Sequence, residues 1–99
     1  MATVHLQVVG RVQGVGFRWF TRVAARKLQL SGWVTNRRDG TVEIAAAGRA
    51  DKLDEFRRLL KQGPDGAQVE TLVDLPPIDE EELTFPFVID KSGMKKALR

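Results

Sequence analysis

Three glycines fall within seven residues, at Gly10, Gly14 and Gly16, and Arg18 stands two positions after the last of them. A glycine-rich passage from strand to helix turns several backbone N–H groups towards one point. The start of the helix adds donors that have no partner within it. Glycine also permits the positive-φ conformations and the close approach that an anion nest requires. Arg11, Val12, Gln13, Gly14, Val15, Gly16 and Phe17 can all donate through the main chain. Such a loop is often no more than a tight turn, but Arg18 shifts the balance. A cation in the first turn opposes the helix macrodipole, at about 0.3–1 kcal/mol, unless an anion sits between them. A phosphate there satisfies the N–H groups, the dipole and the guanidinium together, with a bidentate geometry that lysine cannot supply. Arg22 and Arg26, further along the helix, read as an ordinary solvated stripe.

Asn36 is the second candidate. It closes the apolar part of a predicted strand, where asparagine is disfavoured, just ahead of Asp39-Gly40. As a strand-end or turn residue it needs no function. As a neutral amide that donates and accepts, it suits holding a water beside an anion that a carboxylate would repel. Arg37 and Arg38 either add positive field at the mouth of such a site or occupy a solvated turn.

Other chemistries find little support. The single histidine, His5, lies mid-strand and reads as solvated or structurally satisfied. With no cysteine and one histidine there is no zinc ligand set. Ser31 and Ser92 lack a nucleophile-elbow context. Asp79, Glu80, Glu81 and Glu82 are consecutive, so their side chains diverge and read as a solvated loop, not an acid/base pair. The glycine loop ends in Gly16-Phe17-Arg18 and not in Gly-Lys-Ser/Thr, and Trp19 stands where a dinucleotide fingerprint needs glycine. No metal and no cofactor are expected.

The elements that would position Arg18 and Asn36 follow from periodicity. Val4, Leu6 and Val8 alternate with His5, Gln7 and Val9 as a strand. Phe17, Phe20, Val23, Ala24 and Leu28 stripe a helix expected to end near Leu30, before a turn at Gly32. Two strands flank Asp39-Gly40, a strong hairpin signal, with Gly48 closing the second. Leu53, Phe56, Leu59 and Leu60 stripe a second helix that stops at Gly63-Pro64. "AQVETLVDL" is a fourth strand, and "LTFPFVID" a short edge strand because of Pro86. The order β-α-β-β-α-β predicts an α+β sandwich of the ferredoxin-like type, an antiparallel sheet with two helices on one face. Ninety-nine residues, 42% hydrophobic and 29% charged, suit one globular domain. Residues 1–90 are assigned to it, and residues 91–99 to a basic tail. The absence of cysteine, of a signal peptide and of a long apolar run leads to the expectation of a cytoplasmic protein without membrane contact. A net charge of +3 is weak evidence for nucleic acid, and none is expected.

"GRVQGVGFR" at 10–18 resembles the acylphosphatase signature, and "GWVTNRRDGTVE" at 32–43 resembles that family's second motif. "FRRLLKQGPDGAQVE" at 56–70 is similar to its second helix and the following turn, so the resemblance covers most of residues 4–88. It implies hydrolysis of acyl phosphates, the mixed anhydrides of carboxylic and phosphoric acids. By that resemblance, Arg18 and the main-chain N–H groups of loop 10–16 bind the phosphoryl oxygens, and Asn36 positions the attacking water. Inorganic phosphate is implied as product and inhibitor, and the protein is expected to be a monomer. The family commonly ends near an aromatic residue soon after the last strand, whereas here Asp90 leads into Lys91, Lys95, Lys96 and Arg99.

Two other classes compete. A binding module could use the same cradle to sense a phosphorylated or carbamoyl-phosphate-like anion without turnover, though it would have no need of a water-holding amide. An RNA-recognition domain shares the element order, and "QGVGFRWF" faintly echoes one of its motifs. Base stacking, however, needs aromatics alternating on a central strand, whereas Phe17 and Phe20 fall at helical spacing.

Overall fold

The computed structural model describes residues 1–91. Its elements are β1 (Ala2–Arg11), α1 (Phe17–Lys27), β2 (Ser31–Asn36), β3 (Val42–Gly48), α2 (Ala50–Gln62), β4 (Gln68–Asp74), a 3₁₀ turn at Glu80–Glu82 and β5 (Val88–Ile89). The sheet order is β4-β1-β3-β2-β5. The first four strands pair antiparallel, in the β-α-β-β-α-β arrangement expected.

Alternation in β1 buries Leu6 and Val8 beneath the helices, beside Val34, Val42, Ile44 and Ala46. From α1 the same core takes Phe17, Ala24, Ala25 and Leu28, and from α2 it takes Leu53, Phe56 and Leu60. Both helices therefore cover one face. The other face is partly covered too: Trp33, Ala45, Ala47 and Leu83 form a second cluster, with Ile78 and Val88 against it. That is why central β3 is buried along its whole length.

Several expectations need correction. Val23 is 37% exposed, and the buried stripe of α1 includes Thr21 and Ala25 instead. The helix ends at Lys27, and Gln29, at φ 59°, takes the left-handed turn, so Gly32 falls within β2. β5 is two residues long and pairs parallel with β2, Trp33 against Val88 and Val34 against Ile89, so the five-stranded sheet is mixed and not purely antiparallel. A chain returning from the far face reaches that edge running in the same direction as β2. The acidic run is partly ordered as the 3₁₀ turn, with Asp79 Oδ1 accepting from the Glu81 N–H at 3.2 Å. Gly10 lies in β1, where the pairing with β4 shifts register, and a Cβ there would stand 2.1 Å from the Gln68 carbonyl oxygen. It serves close strand approach and not the loop. The expected tail beyond Lys91 lies outside the described residues.

Candidate functional site

Between β1 and α1 the chain needs a reversal that exposes backbone donors. Gly14 and Gly16 both sit at φ 76°, with open space where a Cβ would project. Gly16 is the N-cap of α1 and offers no side chain to the first turn, which also holds no acidic residue. The first backbone bond of the helix runs from the Phe20 N–H to the Gly16 carbonyl at 3.0 Å, so the amides before Phe20 lack intrahelical acceptors. Arg18 is half-buried in that turn. Among the described residues it has no hydrogen-bond or ion-pair partner.

Asn36 ends β2, its backbone paired with Val42. Its half-buried side-chain amide likewise has no partner among the described residues. Arg18 and Asn36 converge on one cavity of about 180 Å³, which Val12, Gln13, Gly14, Gly16 and Phe17 also line. That volume is below the roughly 300–1,000 Å³ of drug-sized ligand sites. It suits a phosphoryl group and is too small for a nucleotide. Of the loop residues singled out in the sequence, Arg11, exposed at the end of β1, and Val15, packed on the core, lie outside the cavity lining.

Gln13 has a role that sequence reasoning missed. Its Nε2 donates to the carbonyls of Arg37 at 2.8 Å and Thr41 at 2.9 Å, tying the loop to the β2–β3 turn. A polar residue between two glycines was the available signal. Trp19 of α1 also lines the cavity, as do Ile89 and Lys91, which were unforeseen because β5 reaches it through a long-range parallel pairing.

The other open readings resolve structurally. Arg37 turns from the cavity, its Nε 3.7 Å from Asp39 and its guanidinium 3.8 Å from Glu43. Arg38 is exposed in the turn. His5 is satisfied on both sides, its Nδ1–H donating to the Pro76 carbonyl at 2.7 Å and its Nε2 lying 2.6 Å from Glu43. Phe17 is 2% exposed and tilts against Phe20 inside the helix packing, so neither forms a strand platform for stacking bases. Asp39 is held below its ordinary carboxyl value by hydrogen bonds from Thr41, with Arg37 adding to the effect. Among the described residues no group of three His, Cys, Asp or Glu side chains gathers as a metal site, and no helix is long and apolar enough to cross a membrane.

Comparison with known proteins bears on the family and the fold. The acylphosphatase family model matches residues 4–87. The chain is 52% identical over 65 residues to an acylphosphatase of Koribacter versatilis, a match spanning 66% of this chain and 59% of that one. It is 47% identical over 85 residues to that of Cupriavidus necator, covering 86% and 91% of the two chains. Among solved structures, the crystal structure of acylphosphatase from Bacillus subtilis superposes with a TM-score of 0.79 at 37% identity, over 91% of this chain and 99% of that one.

Proposed function

The chain belongs to the acylphosphatase family, and so to the hydrolases that act on acyl phosphates, and we propose that Arg18, loop 10–16 and Asn36 carry that reaction here. The observation that supports this reading is that Arg18 and Asn36, whose polar side chains have no partner among the described residues, line one phosphoryl-sized cavity.

In this scheme the guanidinium and the loop N–H groups hold the phosphoryl oxygens. Asn36 holds a water in line with the bond from phosphorus to the acyl oxygen. The water oxygen bonds to phosphorus, that bond breaks, and the electron pair leaves with the carboxylate. The water's proton passes to a phosphoryl oxygen, so no protein base is needed. A carboxylate is already a good leaving group, and positioning with charge stabilisation supplies most of the rate. The protein acts as a cytoplasmic monomer, without metal or cofactor, and inorganic phosphate competes for the cradle.

The test is hydrolysis of benzoyl phosphate by the whole chain, with and without chelator. Turnover should be rapid and indifferent to EDTA. Phosphate binding without turnover would favour the sensing module. Asn36→Ala should lower kcat by about ten- to a hundredfold, in keeping with one lost hydrogen bond in the transition state. Phosphate inhibition should be unchanged, and an undiminished kcat would remove Asn36 from the mechanism.

A further inference from the structure

A groove of about 490 Å³ opens beside the cradle, lined by Trp19, Arg22, Arg26, Val88, Ile89 and Lys91. It shares Trp19, Ile89 and Lys91 with the cradle cavity, so the two form one continuous surface. Trp19 is 58% exposed, a large apolar ring left unburied next to the catalytic arginine. With Val88 and Ile89 it makes an apolar shelf.

The rest of the lining is cationic, with no carboxylate among the described residues. The Arg22 guanidinium lies 4.6 Å from the Trp19 ring centroid, and Arg26 Nε donates to the Phe87 carbonyl at 2.9 Å. Both arginines are therefore braced along the groove. Among the described residues, Arg22 and Lys91 have no acidic partner. Arg18, Arg22 and Arg26 succeed one another every fourth residue of α1, a rise of about 6 Å per step. A phosphoryl group held at Arg18 thus directs whatever is attached to it along a row of cations.

We propose that this groove is the leaving-group subsite, and that it selects acyl phosphates whose acyl part carries a second anionic group beyond a short or flat apolar spacer. The inference rests on the acyl phosphate reading above and assigns Arg22 and Lys91 as the residues that read the second anion. The stripe that looks like ordinary solvated charge in the sequence acquires a ligand through β5, which supplies the facing wall.

The experiment compares kcat/KM for 4-carboxybenzoyl phosphate and benzoyl phosphate at fixed ionic strength. The chains are the wild type, Arg22→Gln, Lys91→Gln and, as a control for net charge, Arg58→Gln on α2. Wild type should favour the carboxylated substrate by about fivefold or more, the scale expected of two solvent-exposed ion pairs. Arg22→Gln and Lys91→Gln should each reduce that ratio by about half, while Arg58→Gln leaves it intact. Each ratio is internal to one variant, so loss of folded protein does not alter it. Equal kcat/KM for the two substrates in wild type, or an equal drop in Arg58→Gln, would overturn the groove assignment and leave the hydrolase reading standing. Failure to hydrolyse either substrate would overturn both.

Discussion

Gln13 donates its side-chain amide to the main-chain carbonyl of Arg37 at 2.8 Å, and thereby fixes the loop before α1 against the turn that follows Asn36. The same nitrogen reaches the Thr41 carbonyl at 2.9 Å. One side chain thus holds both halves of the proposed site, the loop before α1 and the strand end that carries Asn36. Because both partners are carbonyls, only a donor can stand there.

Gln13→Ala should lower stability by about 1–3 kcal/mol, since it strands two partly buried acceptors. It should lower kcat as well, because the loop and Asn36 lose their common strut. Gln13→Glu, though nearly the same shape, should be worse than alanine, because it sets carboxylate lone pairs against carbonyl lone pairs. Denaturant unfolding together with kcat on benzoyl phosphate reads both effects. A glutamate variant as stable and active as wild type would show that the bridge is incidental.

Arg18 should separate activity from stability. Arg18→Ala removes a donor pair worth about 1.5–3 kcal/mol per charge-assisted bond, so activity should fall by at least a hundredfold and phosphate inhibition should weaken. Arg18→Lys should recover little, because a point charge cannot form the fork. Stability in phosphate-free buffer should hold or rise, since a cation in an uncapped first turn costs about 0.3–1 kcal/mol. A lowered Tm for Arg18→Ala would mean that the guanidinium braces the fold.

Two glycines of the same motif should behave differently. Gly10→Ala places a methyl 2.1 Å from the Gln68 carbonyl oxygen, so β1 and β4 must part and the domain should lose several kcal/mol or fail to fold. Gly14→Ala meets open space and pays only for its φ of 76°, about 1 kcal/mol. It should fold and lose activity through a displaced cradle. Circular dichroism and phosphate titration distinguish the two.

Asp39 should contribute to acid sensitivity. Its hydrogen bonds from Thr41 lower its folded-state value below the ordinary 3.8. A depressed carboxyl stabilises the fold above the unfolded value and loses that contribution as pH falls through the folded one. Asp39→Asn should therefore lower the neutral plateau slightly and flatten the acid limb of stability against pH. An acid limb of unchanged steepness would argue against this linkage.

The parts legible in the sequence were those set by short-range patterning. Alternation marked β1, the stripe of Leu53, Phe56 and Leu60 marked α2, and Asp39-Gly40 marked the hairpin. Arg18 stood out because it broke a local electrostatic rule. What stayed hidden depends on long-range packing. Gln29 gives no sign that it will take the left-handed turn ending α1, since glycine or asparagine is the usual occupant. Val23 shares the helical period of the buried stripe but lies at its margin and stays exposed. The parallel pairing of β5 with β2, and with it Ile89 and Lys91 at the cavity, requires the topology of the whole sheet.

That pairing also gives the site an order of assembly. Arg18, Asn36 and the strut between them all lie within the first 41 residues, whereas the facing wall of the groove comes from residues 88–91. During synthesis the residues proposed to hold the phosphoryl group emerge early, and the proposed selecting surface is added only as the last described strand leaves the ribosome. A nascent chain halted before Val88 holds Arg18, Gln13 and Asn36 but lacks the strand that walls the proposed selecting groove.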